Sequence, residues 1–354
     1  MRKLLLITIC FAAAILYSGI AYGFHDEGVA RCSGCHTMHN SQNGVPVDTL
    51  HPSGNGYLLI RSTPSDVCLT CHGDSRGLEF PSVTYTPTAP PPQTGAGSFI
   101  FLLEDNLYDG HSGTTPGSAA GHNLNAPSRG VSTDGTLLTA PGGTYPSSAM
   151  GCSSCHDPHG NTSFRLLYGI GPVTAGGATF TNAAPVAEGT SYSAAETNVL
   201  HTAYKSGMSA WCANCHGNFH AEAGGRLEHK SGQSIGGTIA GIYGRYNGTA
   251  HYNTGTPATS YLAAVPFEEP TMTTTSTDGP LASSQVSCIS CHRAHASSAP
   301  DIGRWDFNVT WLSDDGVNSG SYPIPNPYGP DVEIQRSLCN KCHVKDAGDL
   351  GSAP

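Results

Sequence analysis

Hydrophobic residues are concentrated near the start of the chain and are scattered thinly after it. A mostly apolar stretch, Leu4 to Ile20, follows two basic residues and ends at Ala21-Tyr22-Gly23, whose small residues suit a signal peptidase. This pattern predicts a cleaved signal peptide over residues 1–23 and a mature, exported chain over 24–354. No later stretch approaches the ~18 apolar residues of a membrane span, so we expect no span after cleavage.

The mature chain has little helical or strand periodicity. Long stretches rich in Gly, Pro, Ser and Thr follow neither period, at residues 81–99, 169–190 and 271–284. Short helices are predicted at Ala194 to Ser206, around Ile239 to Tyr246, and at Val332 to Lys341. The predicted fold is therefore mostly irregular, with a few short helices and little sheet. Since no linker divides the chain, we expect one elongated domain.

The composition does not support an ordinary apolar core. Hydrophobic residues make up 38% of the 354, charged residues make up 12%, and the chain has 44 Gly and 25 Pro. So little apolar material would not offset the chain entropy of folding over this length. The net charge of −10 argues against a nucleic-acid partner, which would require a basic surface. Something besides side-chain packing must stabilise the fold.

The cysteines supply a candidate. Twelve of the 13 fall into six Cys-x-x-Cys-His motifs, and the thirteenth, Cys10, lies in the predicted signal peptide. This motif is the attachment signature of c-type haem. The two thiols can bond to the vinyl groups on one porphyrin edge, and the next residue can place its imidazole under the iron. The predicted thioether cysteines are Cys32, Cys35, Cys68, Cys71, Cys152, Cys155, Cys212, Cys215, Cys288, Cys291, Cys339 and Cys342. The predicted proximal ligands are His36, His72, His156, His216, His292 and His343.

Two other uses of cysteine fit less well. Six disulfides would suit an exported protein but would give no reason for the histidine after each pair. Zinc sites also use paired cysteines, but motif separations of 36 to 84 residues do not resemble those of zinc fingers. The sequence therefore predicts six haem c groups, and these can form the core that the composition lacks.

Several other histidines lie close behind the motifs. His39, His159 and His295 each follow a motif histidine by three residues, and His220 follows one by four. Residues at such spacing project from the same side of a turn, whereas the axial ligands of one iron come from opposite haem faces. If these histidines are ligands, each must bind a haem other than that of its own motif. For His25, His122 and His229, ligand and solvated loop are both open.

A few further residues are assigned to ordinary roles. Trp211 and Tyr204 are expected to pack against a haem face. Glu268-Glu269 is expected to be a solvated pair. The remaining histidines are expected in polar loops, namely His51, His111, His201 and His251.

Longer segments around the motifs resemble one family. They are FHDEGVARCSGCHTMHNS, LTAPGGTYP, CSSCHDPHG, GMSAWCANCH, TIAGIYGRY, VPFEE, SCISCHRAHAS and LCNKCHVKD. Their order and flanks are similar to those of the OmcS-like hexahaem c-type cytochromes, outer-surface proteins that polymerise into extracellular filaments in metal-respiring bacteria. This chain is considerably shorter, with losses in loops after the second motif and around the fourth and fifth.

The resemblance implies a loop-rich multihaem cytochrome c fold with six bis-histidine haems in a continuous line. By position, His39 would bind the haem of the fifth motif in the next subunit of a head-to-tail homo-polymer. The histidine positions shared with the family number seven for six distal sites: His25, His39, His122, His159, His220, His229 and His295. At least one of them is not a ligand.

The function implied is electron transfer without enzymatic chemistry. Six bis-histidine haems leave no open iron site, so such a protein would carry electrons from redox partner cytochromes to external acceptors such as metal oxides, electrodes or other cells. An extracellular or outer-surface location is expected, with the periplasm as the alternative. A monomeric periplasmic carrier and a multihaem reductase with one open haem would share the same motifs, and both remain alternatives at this point.

Overall fold

A computed structural model gives the fold of this chain. It describes residues 32–74, 80–81, 95–103, 107–108, 114–115, 117–190, 196–220, 229, 231–245, 256–308 and 337–343. The predicted signal peptide and His25, His111 and His251 lie outside the described residues, as does the first half, residues 332–336, of the predicted helix from Val332 to Lys341. Within the described part, no helix is both long enough and apolar enough to cross a membrane.

Helices are few and short. The α-helices are α1 (Pro64–His72), α2 (Met208–Cys212), α3 (Gly217–His220), α4 (Gly236–Tyr243) and α5 (Cys288–Cys291). Single 3-10 turns lie at Cys32–Gly34, Phe99–Leu103, Gly117–Ala119, Pro127–Arg129, Ser147–Ala149, Cys152–Ser154, Pro257–Thr259 and Leu338–Lys341. The longest helix, α1, begins where Thr63 accepts a hydrogen bond from the Asp66 backbone N–H at 3.1 Å, with Pro64 in the first turn.

In the described part of the chain, the sheet consists of six two-stranded ribbons. The strands are β1 (Ser41–Gln42), β2 (Val45–Pro46), β3 (Gly73–Asp74), β4 (Phe80–Pro81), β5 (Leu107–Tyr108), β6 (Thr114–Thr115), β7 (Gly171–Pro172), β8 (Thr179–Phe180), β9 (Val186–Glu188), β10 (Ala203–Ser206), β11 (Gln233–Ser234) and β12 (Gln285–Val286). Each odd-numbered strand pairs with the next one, antiparallel except for β3 with β4. The predicted class, mostly irregular with few helices and little sheet, is confirmed.

One predicted helix is wrong. The segment from Ala194 to Ser206 contains β10, which pairs with β9. The backbone N–H of Thr202 is bonded to the Glu196 carboxylate at 2.9 Å, and that of His201 to the Thr274 carbonyl at 2.9 Å. These partners satisfy the amides outside any helix, and the β-branched residues of the segment suit extended backbone. The helix predicted around Ile239 is confirmed as α4.

Apolar side chains form small separate clusters instead of one core. One cluster centres on Phe101 and Leu124, which are almost fully buried. Another gathers Trp305 and Leu338, and three motif cysteines pack on its edge: Cys291, Cys339 and Cys342. Attachment cysteines therefore lie where the protein's own apolar surface is concentrated.

Candidate haem sites

The motifs share one local structure. In five of them the histidine backbone N–H donates to the carbonyl of the first cysteine at 2.8 to 3.0 Å, closing one helical turn; these are His36, His156, His216, His292 and His343. The second motif lies at the end of α1. One turn brings the two cysteines of a motif to the same side of the backbone. Within the described residues, none of the twelve motif cysteines lies in a disulfide, so both sulfurs of each pair are available for thioether bonds.

A strained turn holds the histidine of three motifs. Each turn has two successive non-glycine residues with φ between 52° and 59°: Tyr57 and Leu58, Arg165 and Leu166, Asp301 and Ile302. The carbonyl of the first residue accepts a hydrogen bond from the motif histidine, at 2.9 Å for His36, 2.7 Å for His156 and 2.9 Å for His292. The carbonyl of the second accepts from the backbone N–H of the residue after that histidine, at 2.6 to 2.8 Å.

This arrangement orients the imidazole for metal binding. A left-handed conformation costs an ordinary residue roughly 1–2 kcal/mol, so three such pairs indicate that the turn is needed where it stands. A bond from Nδ1 to a backbone carbonyl fixes the ring and leaves Nε2 as the free base, as in most histidines that ligate metals. In the fourth motif, the Pro141 carbonyl accepts the same bond from His216 at 2.7 Å.

Four motif histidines face a second histidine. The ring centroids are 6.4 Å apart for His36 and His159, 6.3 Å for His156 and His295, 6.0 Å for His216 and His122, and 5.8 Å for His343 and His229. With nitrogen–metal bonds of about 2 Å, two imidazoles on opposite sides of one metal ion have ring centres about 6 Å apart. The four pairs therefore have the spacing of bis-histidine iron sites.

The environment keeps two of the second histidines neutral. Burial, together with the charge of the facing motif histidine, lowers the pKa of His122 to about 4 and that of His295 to about 3. A neutral imidazole is the form that donates a lone pair to a metal. His122 also donates from Nδ1 to the Ala294 carbonyl at 2.8 Å, which leaves Nε2 as the free base on a ring whose centroid lies 6.0 Å from that of His216.

Two of the remaining candidates face no other histidine among the residues that the structure describes. His39 is exposed and makes no hydrogen bond or ring contact with the described residues. His220 has a buried Nδ1 without a hydrogen-bond partner and faces no second histidine among them. On the motif side, the ring of His292 contacts Phe307 edge to face at 5.4 Å and faces no second histidine in the described part of the chain.

Contacts between cysteines place successive motifs side by side. The side chain of Cys68 lies beside that of Cys152, and the side chain of Cys212 beside that of Cys288, so the second motif is next to the third and the fourth is next to the fifth. The other steps use the second cysteines. Burial raises the pKa of the second cysteine in the first, third and fifth motifs, and a cysteine of the following motif lies close enough to raise it further. The pairs are Cys35 with Cys71, Cys155 with Cys215, and Cys291 with Cys342. The six motifs therefore follow one another in space in chain order.

The described residues fit haem c better than another metal group. Among them, no three His, Cys, Asp or Glu side chains converge as a protein-only metal site would require. The buried Nδ1 atoms of His220 and His295 and the buried Nε1 of Trp305 have no hydrogen-bond partner among the described residues. Each of the three residues follows the histidine of the fourth or fifth motif in the chain.

Some sequence predictions about other residues need correction. Glu268-Glu269 is not a solvated pair, because both carboxylates are buried. Glu268 accepts from the backbone N–H groups of Gly207 and Met208 at 3.1 and 2.8 Å and so caps α2. His201 is not a loop residue in solvent but is fully buried and stacked on Tyr261 at 3.7 Å.

Two basic side chains near the motifs are buried, and nothing in the sequence pattern predicted it. Arg304 is 4% exposed, and its Nε donates to the carbonyls of Ile289 and His292 at 2.6 and 3.2 Å. Lys341, inside the sixth motif, is fully buried. Its Nζ donates to the carbonyls of Tyr243 and Ser260, both at 2.9 Å.

The fold and these turns together define a multihaem cytochrome of the c type. The comparisons then place it among its relatives: C-type cytochrome OmcS of Geobacter sulfurreducens is 34% identical over 425 positions, covering 96% of this chain and 98% of the relative. The chain belongs to the OmcS family of c-type cytochromes, whose members are electron-transfer proteins.

Solved structures agree. The cryo-EM structure of the OmcS nanowires from Geobacter sulfurreducens superposes with a TM-score of 0.77 at 32% identity, covering 91% of this chain and all of that one. The Outer Membrane Cytochrome S filament from the same organism gives 0.76 at 30% identity, covering 90% and 99%. No model of a protein family matches the chain.

Proposed function

We propose that this protein is an extracellular electron conduit that binds six haem c groups and polymerises head to tail. Each haem would be bonded to the two cysteines of one motif and bound on one face by the motif histidine. Haem c supplies reversible one-electron chemistry when bound. The protein's part is to hold the axial imidazoles, exclude other ligands and keep neighbouring haems close.

The observation that carries the proposal is the regular relation between paired histidines. His159, behind the third motif, faces the histidine of the first, and His295, behind the fifth, faces that of the third. Each of these histidines therefore faces the motif histidine that lies two motifs earlier in the chain. Extended to a neighbouring copy of the chain, the same rule pairs His39, which follows the first motif, with His292 of the fifth motif in that copy.

The even-numbered motifs follow a second rule. His122 comes before the third motif and faces the histidine of the fourth, and His229 comes before the fifth and faces that of the sixth. By this rule, His25, before the first motif, would serve His72 of the second. The six distal ligands are then assigned, and His220 is the candidate that does not bind iron.

The surface around His39 suits contact with a second copy. Large apolar side chains are exposed close to it in the chain, including Met38 at 77% and Tyr57 at 86%; the others are Val45, Leu50 and Leu58. A contact that joins one end of a subunit to the opposite end of the next gives an open filament when the rotation does not close. The family relatives are themselves described as nanowires and filaments.

The backbone beside His39 is held in place. Asn40 has φ of 47°, and its side chain donates to the His51 carbonyl at 2.7 Å and accepts from the Asp48 backbone N–H at 2.9 Å. Asn40 is buried while His39 is exposed. This network presents His39 outward in a fixed conformation, which favours binding to another subunit over binding within the chain.

Imidazoles on both faces of every iron would leave no site open to a substrate, so electron delivery and not catalysis is the proposed activity. The direct test is His39→Ala, examined as purified holoprotein by pyridine haemochrome assay, sedimentation and electron microscopy. We expect six covalent haems, one of them lacking an axial imidazole, and no filaments.

His220→Ala should keep both the haem spectrum and the filaments of the wild type. Normal filaments from His39→Ala would refute the assembly proposal, and lost low-spin haem in His220→Ala would refute the ligand assignment.

A further inference from the structure

Two of the six motifs have a serine three residues before the first cysteine. These are Ser65 before Cys68 in the second motif and Ser209 before Cys212 in the fourth; the other four motifs have Val, Ala, Gln or Arg at that position. Both serines are almost fully buried, at 2% and 1% exposed. Neither is needed for haem attachment by its own motif, since the other motifs lack it.

Both serines reach the next motif along the line. The Oγ of Ser65 accepts a hydrogen bond from the backbone N–H of Cys152 at 3.2 Å, and the Oγ of Ser209 accepts one from Cys288 at 3.1 Å. Cys152 and Cys288 are the first cysteines of the third and fifth motifs. Their N–H groups belong to the first turn of a helix, so they have no partner within it.

The surroundings of the two bonds match as well. In each case the side chains of the two first cysteines lie side by side, Cys68 with Cys152 and Cys212 with Cys288. In the third and fifth motifs, the residue before the second cysteine is a serine, Ser154 or Ser290. Its hydroxyl accepts a hydrogen bond from the backbone N–H of the residue that precedes the first cysteine, at 3.0 and 3.1 Å. The same two-motif unit is therefore built twice in this chain.

The second and third motifs approach each other closely at the hydrogen bond between Ser65 and Cys152. A Cβ at Gly151, next to Cys152, would lie 2.8 Å from the Ser65 Oγ, so a larger residue there would displace the serine hydroxyl. In the proposed function, a haem would be bonded to the cysteine whose N–H donates to the serine. Any displacement of that cysteine would move the macrocycle with it.

We propose that Ser65 and Ser209 are positioning residues that fix the geometry between the second and third haems and between the fourth and fifth. The inference rests on the proposed six-haem function but concerns only the spacing within two neighbouring pairs. The hydroxyl acts through the backbone of the next motif and touches no iron ligand. Because the two units are alike, the Ser65 unit and the Ser209 unit test the proposal independently of each other.

The test uses circular dichroism of the oxidised holoprotein in the Soret region, where coupled haems give a bisignate couplet that depends on their separation and orientation. Ser65→Ala and Ser209→Ala should each retain six haems and reduce the couplet, and the double variant should show the two losses added, since the units are separate. Ser65→Thr and Ser209→Thr keep the hydroxyl and should restore the couplet. Ser33→Ala, at an exposed serine within the first motif, is the matched control and should leave it unchanged.

Unchanged couplets in both alanine variants at full haem content would overturn the proposal, as would losses in the threonine variants equal to those of alanine. If an alanine variant fails to mature, amide exchange in the wild-type holoprotein decides: slow exchange at Cys152 and Cys288 supports the bridges, and solvent-like exchange refutes them. A purified protein with fewer than six haems would contradict the proposed function instead, and haem counting separates the two failures.

Discussion

Arg304 offers a stability test that does not depend on the identity of any partner. It is buried, and four carbonyls accept its hydrogen bonds: those of Ile289 at 2.6 Å, His292 at 3.2 Å, Ala263 at 3.2 Å and Gly95 at 3.1 Å. No carboxylate of the described residues lies within ion-pair distance of it. The guanidinium therefore ties the end of α5, in the fifth motif, to two segments far away in the sequence.

Arg304→Met keeps most of the apolar stem and removes all four bonds. A hydrogen bond from a charged donor contributes about 1.5–3 kcal/mol, and bonds that share one group are not additive, so we expect a loss of ~3–5 kcal/mol in the local free energy of opening. At tenfold per 1.4 kcal/mol, amide exchange in residues 288–304 should accelerate by roughly two to three orders of magnitude. Hydrogen exchange with mass spectrometry on the holoprotein measures this directly.

The matched control is Arg165→Met, because Arg165 is exposed and its guanidinium donates to the Thr190 carbonyl at 3.4 Å and otherwise lies over the Phe164 ring. Its effect on local exchange should correspond to about 0.5 kcal/mol or less. If exchange in residues 288–304 of Arg304→Met stays near the wild-type rate with all haems bound, the guanidinium does not stabilise the fifth motif and the reasoning is wrong.

Three other outcomes follow. Asn40→Ala removes the side chain that holds the backbone beside His39, so it should retain all haems and lower the yield of filaments, measured by sedimentation; wild-type polymerisation would contradict this. Burial raises the pKa of Glu268, so the folded state binds its proton more tightly than the unfolded state and stability falls as pH rises above the ordinary value. The thermal midpoint of the wild type should therefore rise relative to that of Glu268→Gln as the pH falls from 7 toward 4.5. A difference between the two midpoints that does not change with pH would refute the linkage. Protein produced without haem attachment should show no cooperative unfolding by circular dichroism, because the apolar clusters are small; a cooperative transition would show that the chain folds alone.

The sequence sufficed for the fold class and for the attachment motifs. Low apolar content and absent periodicity predicted an irregular chain, and six identical spacings predicted turns that the structure contains in full. The helix predicted at Ala194 to Ser206 failed because its amides bond to Glu196 and Thr274, a tertiary choice that local propensity does not reveal. Burial of Glu268 was missed for the same reason, since it caps a helix 60 residues away in the sequence.

The arrangement of the histidines was only partly predictable. Spacing alone showed that the second histidines cannot serve their own motifs, and the structure pairs His159 with His36 and His295 with His156. The strained turns had no sequence signature, because Tyr57 and Arg165 do not favour the left-handed region and a single aspartate, Asp301, does not predict a turn. Chain-order stacking of the motifs likewise depends on contacts between cysteines that separations of 36 to 84 residues do not encode.

The most direct test of the central claim is a cryo-EM map of the purified protein at a resolution that shows side chains. The account predicts six haems in a continuous line in the order of the motifs, and the iron beside His292 bound on its other face by His39 of the adjacent subunit. A map in which the haems depart from chain order, or in which His39 binds no iron of a neighbouring subunit, would contradict it.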